Sequence, residues 1–386
     1  PGWTVTPSTS PTPEATFTPT ITPTPLPVAR VSEGDKAFFN GDFDVALLHY
    51  QVAIQDSPDP LVRAAAEWGQ AKIYYAQGRY NETLTSLQTL ISEYPQAPQH
   101  PQAYFLQGFV YYKLENYPAA ADSWQTYLVL RPGVLDAYVQ ELRGDALFNA
   151  KDFAGALASY TTAITAPSLG DDTTLDLKVA SVQTQLGNYE EAIALYDGII
   201  GRATSDYTKA QALYEAGTVN LTQGQTAEAN ERFRYAIENY PLSYYSYLSL
   251  VALLDAGGTV SDLDRGLVDY FSGQYAVGIA AFDRYLQSNP ADNDGTAYYY
   301  RALCKNALGQ YDEAIADYQN FISNFSAHPR WGDAWGEKAF IEWAQKGDYT
   351  TGAQTLLEFI NLAPTSPQAA EYLMSAARIY ERDAQY

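Results

Sequence analysis

Aromatic side chains give this sequence its clearest capacity to bind something. Phe38, Tyr75, Tyr112 and Phe148 follow one another at intervals of 37, 37 and 36 residues. Trp68 and Phe105 stand seven residues ahead of Tyr75 and Tyr112, and Phe109 three ahead of Tyr112, spacings that put them on the same helical faces. A ring presented in this way can stack on a sugar or clasp an extended peptide. Rings are also dominant core fillers, so packing between neighbouring helices is the competing use of the same residues.

A second group is basic. Arg301, Lys305, Arg330 and Lys338 gather positive charge in a chain with 23 basic and 45 acidic residues, a net charge of −22. They could hold an anionic peptide stem or a neighbouring domain, and a solvated face is the more ordinary use of such residues. The acidic total makes nucleic acid and anionic lipid surfaces poor partners. Metal and nucleophilic chemistry have little to draw on. Cys304 is the single cysteine, beside only three histidines, and it lies in an apolar helical stretch as a packed thiol. Asp292-Asn293-Asp294-Gly295 resembles the start of a calcium loop, but the twelfth position, where such a loop needs Glu, is Leu303. The segment reads instead as a cap for the helix beginning near Thr296. Asn81-Glu82-Thr83 and Asn220-Leu221-Thr222 match glycosylation sequons inside repeat helices or turns, where chance is the better explanation. No catalytic, metal or cofactor site emerges, and no run of about 18 apolar residues spans a membrane.

The elements that carry these residues repeat. A turn of the form Gly-x-aromatic or a near variant recurs nine times, with its third position at 43, 80, 117, 153, 189, 226, 275, 311 and 349. Three residues after it comes a small residue: Ala46, Thr83, Ala120, Ala156, Ala192, Ala229, Gly278, Ala314 or Gly352. Four further on comes a large apolar one: Tyr50, Leu87, Trp124, Tyr160, Tyr196, Phe233, Phe282, Tyr318 or Leu356. Twelve residues ahead of the first eight small positions stands another small residue, from Gly34 to Ala302. Two helices therefore meet small face to small face across a tight turn, and prolines such as Pro58, Pro95, Pro132, Pro167 and Pro241 end the second. Fifteen of the 54 aromatics fill only the turn and groove positions, so much of the aromatic excess builds the fold.

This grammar resembles the tetratricopeptide repeat, most closely in the third unit, where Tyr104, Gly108, Tyr111, Ala120 and Trp124 match the family's positions. The resemblance implies an all-α chain: a right-handed α-α superhelix of about nine to ten helical pairs, with the first helix of each pair lining the concave side. The expected layout is a Thr/Pro-rich stalk over 1–30, repeats one to six over 31–241, an extra helix over 242–260, and repeats seven to nine with a terminal unpaired helix over 261–386. Ser243 would cap the extra helix and Gly257-Gly258 end it. Repeat nine carries one residue too many near its turn.

A narrower resemblance lies in YPLSYYSYLSLVALLDAG at 240–257, in Asp264-Arg265-Gly266-Leu267-Val268-Asp269-Tyr270-Phe271, and in Arg131-Pro132-Gly133-Val134-Leu135-Asp136-Ala137-Tyr138. These are similar to the superhelical region preceding the catalytic domain of soluble lytic murein transglycosylases. Members of that family cleave peptidoglycan with one Glu in a Glu-Ser dipeptide, and no such dipeptide occurs here. The resemblance implies a non-catalytic scaffold that positions glycan strands or partner proteins for a lysozyme-like domain further along. The alternative is a stand-alone envelope adaptor for protein partners. The first 27 residues hold eight of the 21 prolines and nine threonines, the composition of an extended spacer. With Pro1 in place of an initiator Met, this suggests a trimmed, extracytoplasmic protein tethered at the cell surface through an upstream membrane or lipid anchor.

Overall fold

The small residues of the first helices exist so that rings can lie on them. In a computed structural model, residues 26–133, 135–166, 173–288, 290–291 and 293–384 are described. Most of the expected stalk, Pro167, Val134 and Asp292 lie outside them. The chain divides into two units, residues 1–151 and 152–386.

Unit 1 contains α1 (Pro27–Phe39), α2 (Phe43–Asp56), α3 (Pro60–Ala76), α4 (Tyr80–Glu93), α5 (His100–Lys113), α6 (Tyr117–Leu130) and α7 (Asp136–Asn149). Helix α1 starts four residues before the expected boundary at 31, with Pro27 at its first turn, where a missing N–H costs nothing. Each helix packs on the next. Tyr50 of α2 is fully buried between two glycines. A methyl at Gly34 of α1 would sit within 2.7 Å of its ring, and one at Gly69 of α3 would also collide with it. Trp124 of α6 lies on Gly108 of α5 in the same way.

Unit 2 contains α8 (Phe153–Thr165), α9 (Thr173–Gln185), α10 (Tyr189–Arg202), α11 (Asp206–Thr222), α12 (Thr226–Asn239) and α13 (Tyr244–Asp255). It continues with α14 (Asp262–Phe271), α15 (Tyr275–Gln287), α16 (Thr296–Ala307), α17 (Tyr311–Asn324), α18 (Trp331–Phe340), a π-helical turn at Ile341–Gln345, α19 (Tyr349–Leu362) and α20 (Ala369–Asp383). Phe233 of α12 covers Gly217 of α11, and Phe282 of α15 covers Gly266 of α14. Helix α13 is the expected extra helix. Ser243 accepts from the Tyr245 N–H at 3.3 Å to cap it, and Gly257 ends it with φ of 75°. It packs on α11, α12 and α14. No strand occurs among the described residues.

The turns share one geometry. The first residue of the turn, two before its third position, has φ between 58° and 84° in all nine, as at Gly41 and Gly187. A backbone bond then closes from the next residue to the carbonyl five back, as in Asp42 to Ala37 at 2.8 Å. Glu115 and Lys151 take this left-handed conformation without being glycine, at a steric cost. The extra residue of repeat nine is absorbed by the π-helical turn. There Asp348 bonds six residues back to Glu342, and Ala339 fills the small position thirteen residues ahead of Gly352.

Two outcomes follow in urea denaturation. Trp124→Ala should cost about 3–5 kcal/mol through the cavity it leaves, and Gly108→Ala about 1–3 kcal/mol through overpacking against that ring. Glu115→Gly should instead raise stability by up to about 1 kcal/mol, the left-handed penalty removed less the entropy of glycine.

Candidate functional site

Phe38, Tyr75, Tyr112 and Phe148 occupy the last turns of α1, α3, α5 and α7. Helical periodicity and the fixed turn place them there, since each stands five residues before the aromatic that opens the next helix. The turn brings these two rings together. Phe38 lies 5.8 Å from Phe43, Tyr75 6.1 Å from Tyr80, and Tyr112 5.3 Å from Tyr117. All seven sequence candidates, including Trp68, Phe105, Phe109 and Phe148, are half-buried. Phe105 and Phe109 meet edge to face at 5.1 Å, and each also touches a ring of α6, Tyr127 at 5.1 Å and Trp124 at 5.4 Å. Trp68 packs on the core around Leu87 and Leu90. Packing within hairpins thus uses part of each ring and leaves part at the surface.

The structure adds polar groups to this set. Lys72 of α3 stands 5.0 Å over the Phe38 ring and 3.8 Å from Asp35, linking two successive first helices. Asn149 donates to the Tyr112 hydroxyl at 3.1 Å across one repeat. The Tyr75 hydroxyl titrates above its ordinary range, through burial first and then the neighbouring Tyr80 and Tyr138 hydroxyls. Tyr138, about half exposed, thereby belongs to the same neighbourhood. Lys72, Tyr138 and Asn149 were not singled out from sequence. Their helical positions differ from those of the aromatic row, and the repeat interval of 37, which separates Asp35 from Lys72 and Tyr112 from Asn149, could have pointed to two of them.

The four basic residues are all held by carboxylates of this chain. Arg301 forms a two-point bridge to Asp317 and reaches Asp283 at 2.6 Å, while Lys305 shares Asp317 at 2.7 Å. Arg330, just ahead of α18, pairs with Asp333 of that helix at 3.0 Å and is the most exposed of the four. Lys338 is buried, 2.8 Å from Glu342 and 3.1 Å from the Thr355 hydroxyl, which itself donates to Glu342 at 2.6 Å. Only Arg301 and Lys305 share a partner.

Cys304 is buried, and burial with the nearby Asp269 carboxylate pushes its thiol up to about 12, far from a reactive thiolate. Asn293 and Asp294 accept from Gly295 and Thr296 N–H groups at 3.1 and 2.9 Å and so serve the start of α16. Asn81 lies within α4, and Asn220 is buried in α11. Among the described residues no group of three or more His, Cys, Asp or Glu could hold a metal ion, and no helix is long and apolar enough to cross a membrane.

The tetratricopeptide repeat model matches residues 31–98, 69–134, 105–172, 141–208 and 263–329, and a second model of that description matches 211–243. The chain belongs to the tetratricopeptide repeat family. Repeats of this family build scaffolds for protein–protein contact. The TPR repeat-containing protein MJ1428 of Methanocaldococcus jannaschii is 22% identical over 264 residues, covering 67% of this chain and 44% of its own length. The chain thus spans less than half of that relative. Among solved structures, that of Naa15/Naa10 bound to HypK-THB is similar at 13% identity, covering 93% of this chain and 61% of that one, with a TM-score of 0.46. YrrB, described as a TPR protein with an unusual peptide-binding site, shares 19% identity over 53% of this chain and 96% of its own, with a TM-score of 0.41.

Within this family setting the buried Lys338–Glu342–Thr355 group has a structural role that can be measured. Lys338→Ala strands the Glu342 carboxylate and should cost about 3–5 kcal/mol in urea denaturation. Replacing Glu342 by Gln in the same chain should recover much of that loss.

Proposed function

We propose that this chain is a non-catalytic scaffold that holds an extended ligand along the aromatic row of unit 1. The observation that carries this reading is the recurrence of Phe38, Tyr75, Tyr112 and Phe148, half-buried, at the ends of four successive first helices. Trp68, Phe105 and Phe109 widen the row, Lys72 supplies a cation beside the Phe38 ring, and Asn149 holds the Tyr112 hydroxyl in place. A ligand with a regular repeat of its own, a peptide backbone or a glycan strand, suits such a row. Aromatic residues give large contact area at low entropic cost, so several modest contacts add to useful affinity.

The ligand class divides the reading in two. The segments at 131–138, 240–257 and 264–271 resemble the superhelical region of lytic transglycosylases, and this supports a scaffold that presents peptidoglycan strands or partner proteins to a lysozyme-like domain. The Thr/Pro-rich first 27 residues support an extracytoplasmic, surface-tethered setting. The alternative is an envelope adaptor that binds protein partners alone, which family membership supports equally.

Co-sedimentation with purified glycan strands and binding to an immobilised peptide library test both. Tyr75→Ala and Tyr112→Ala should weaken binding about tenfold together while helical content is kept. Strand binding lost in the double variant supports the transglycosylase scaffold, and peptide binding lost without any strand binding supports the adaptor. A folded double variant that binds either ligand as the parent does would remove the aromatic row from consideration.

A further inference from the structure

Two repeats break the pattern in which a ring fills the groove. Position seven after the turn is a ring in seven of the nine repeats, and in repeat nine it is Leu356. Helices α18, α19 and α20, with the π-helical turn, enclose a cleft of about 320 Å³ there, with Leu356 in its lining. In repeat two, the other exception, Leu87 is covered by Leu90, Leu106, Trp68 and Tyr75, so the missing ring leaves a filled core. In repeat nine Phe340 and Trp343 form a wall of the cleft. These two rings meet edge to face at 5.9 Å. Tyr372 of α20 forms another wall, fixed by its hydroxyl donating to the Gly332 carbonyl at 3.0 Å and by its ring 5.1 Å from Phe359.

The rim is cationic. Arg378 and Arg382 line the cleft one helical turn apart on α20, and both are exposed. Arg284, Arg301 and Lys305 of the preceding repeats and Lys338 and Lys346 of this one each meet a carboxylate of this chain. Arg378 and Arg382 meet none among the described residues. The Arg382 guanidinium lies 5.2 Å from the centre of the Trp343 ring, which holds it at the mouth and leaves its N–H edge available. In a chain of net charge −22, two unpaired arginines over an aromatic cleft are an unusual concentration of affinity for an anion.

We propose that this cleft is a peptide-binding site for an apolar side chain flanked by a carboxylate. The side chain occupies the space that a ring fills in the other repeats, and the carboxylate pairs with Arg382 and Arg378. The volume, near the lower end of the roughly 300–1,000 Å³ found for ligand pockets, suits a single large side chain. The site lies in unit 2 and is independent of the aromatic row in unit 1.

Fluorescence anisotropy with labelled peptides tests it on the whole chain. One peptide ends in Gly-Ser-Gly-Phe with a free carboxylate, a second carries Asp before a Phe amide, and a third is the Phe amide with no acid. One or both of the first two should bind and the third should not, which also tells a C-terminal carboxylate from a side-chain one. Arg382→Ala should weaken binding about tenfold, and Arg378→Glu with Arg382→Glu should abolish it. Leu356→Phe should block the site by restoring the ring. If Leu356→Phe fails to fold, the arginine variants, which change only exposed groups, still decide. Equal binding of the neutral peptide, insensitivity to both arginine changes, or no binding up to about 5 mM would overturn the proposal. So would preferential binding of a single-stranded oligonucleotide at the same arginines.

Discussion

The contact of a ring with a residue that has no side chain to displace it sets the spacing of these helices. Tyr50 between Gly34 and Gly69, Trp124 on Gly108, Phe233 on Gly217 and Phe282 on Gly266 all bring two helices close enough for the small residues of the second helix to be fully buried. The contact is short range, so an array of any length can be built from it without a central core. It also explains why a chain of 386 residues carries 54 aromatics. Seven of the nine hairpins place a ring in the groove and eight place one at the turn, and the left-handed turn residue fixes the angle between them.

That constraint governs which aromatic residues remain for binding. A ring at the last turn of a first helix meets the turn aromatic five residues on, so it is supported on one side by the hairpin that carries it. Phe38, Tyr75 and Tyr112 show this support directly, and Tyr270 repeats it in unit 2 against Tyr275 at 6.1 Å. Support of this kind lowers the entropy a ring must lose on meeting a ligand. Packing and the proposed binding are therefore compatible uses of the same half-buried rings.

Features that recur at a fixed interval were legible in the sequence, and features made by departures from it were not. The helical pairs, the extra helix capped by Ser243, the small and large positions and the packed thiol of Cys304 all follow from periodicity and local chemistry. The partners of the basic residues do not. Asp283 and Asp317 lie on different helices from Arg301, and Thr355 reaches Lys338 from α19, so composition alone suggested a positive patch where the fold makes ion pairs. Lys72 and Asn149 were hidden for a related reason, because a neighbour in the next repeat is about 37 residues away and need not share a helical position.

A single inserted residue shows how such an array absorbs an irregularity. A deletion or insertion within a helix would ordinarily rotate every following side chain by about 100° and break the small-on-ring contact. Here the π-helical turn takes up the extra residue before the next helix begins, so Gly352 still faces Ala339 and the repeat stays in register. The cost is confined to one turn, where Glu342 is buried and must be satisfied by Lys338 and Thr355. Beside that turn, Phe340 and Trp343 line a cleft together with Leu356 and Tyr372. A fold whose contacts reach only to the next repeat can tolerate such a change, because the strain has no distant core to disturb.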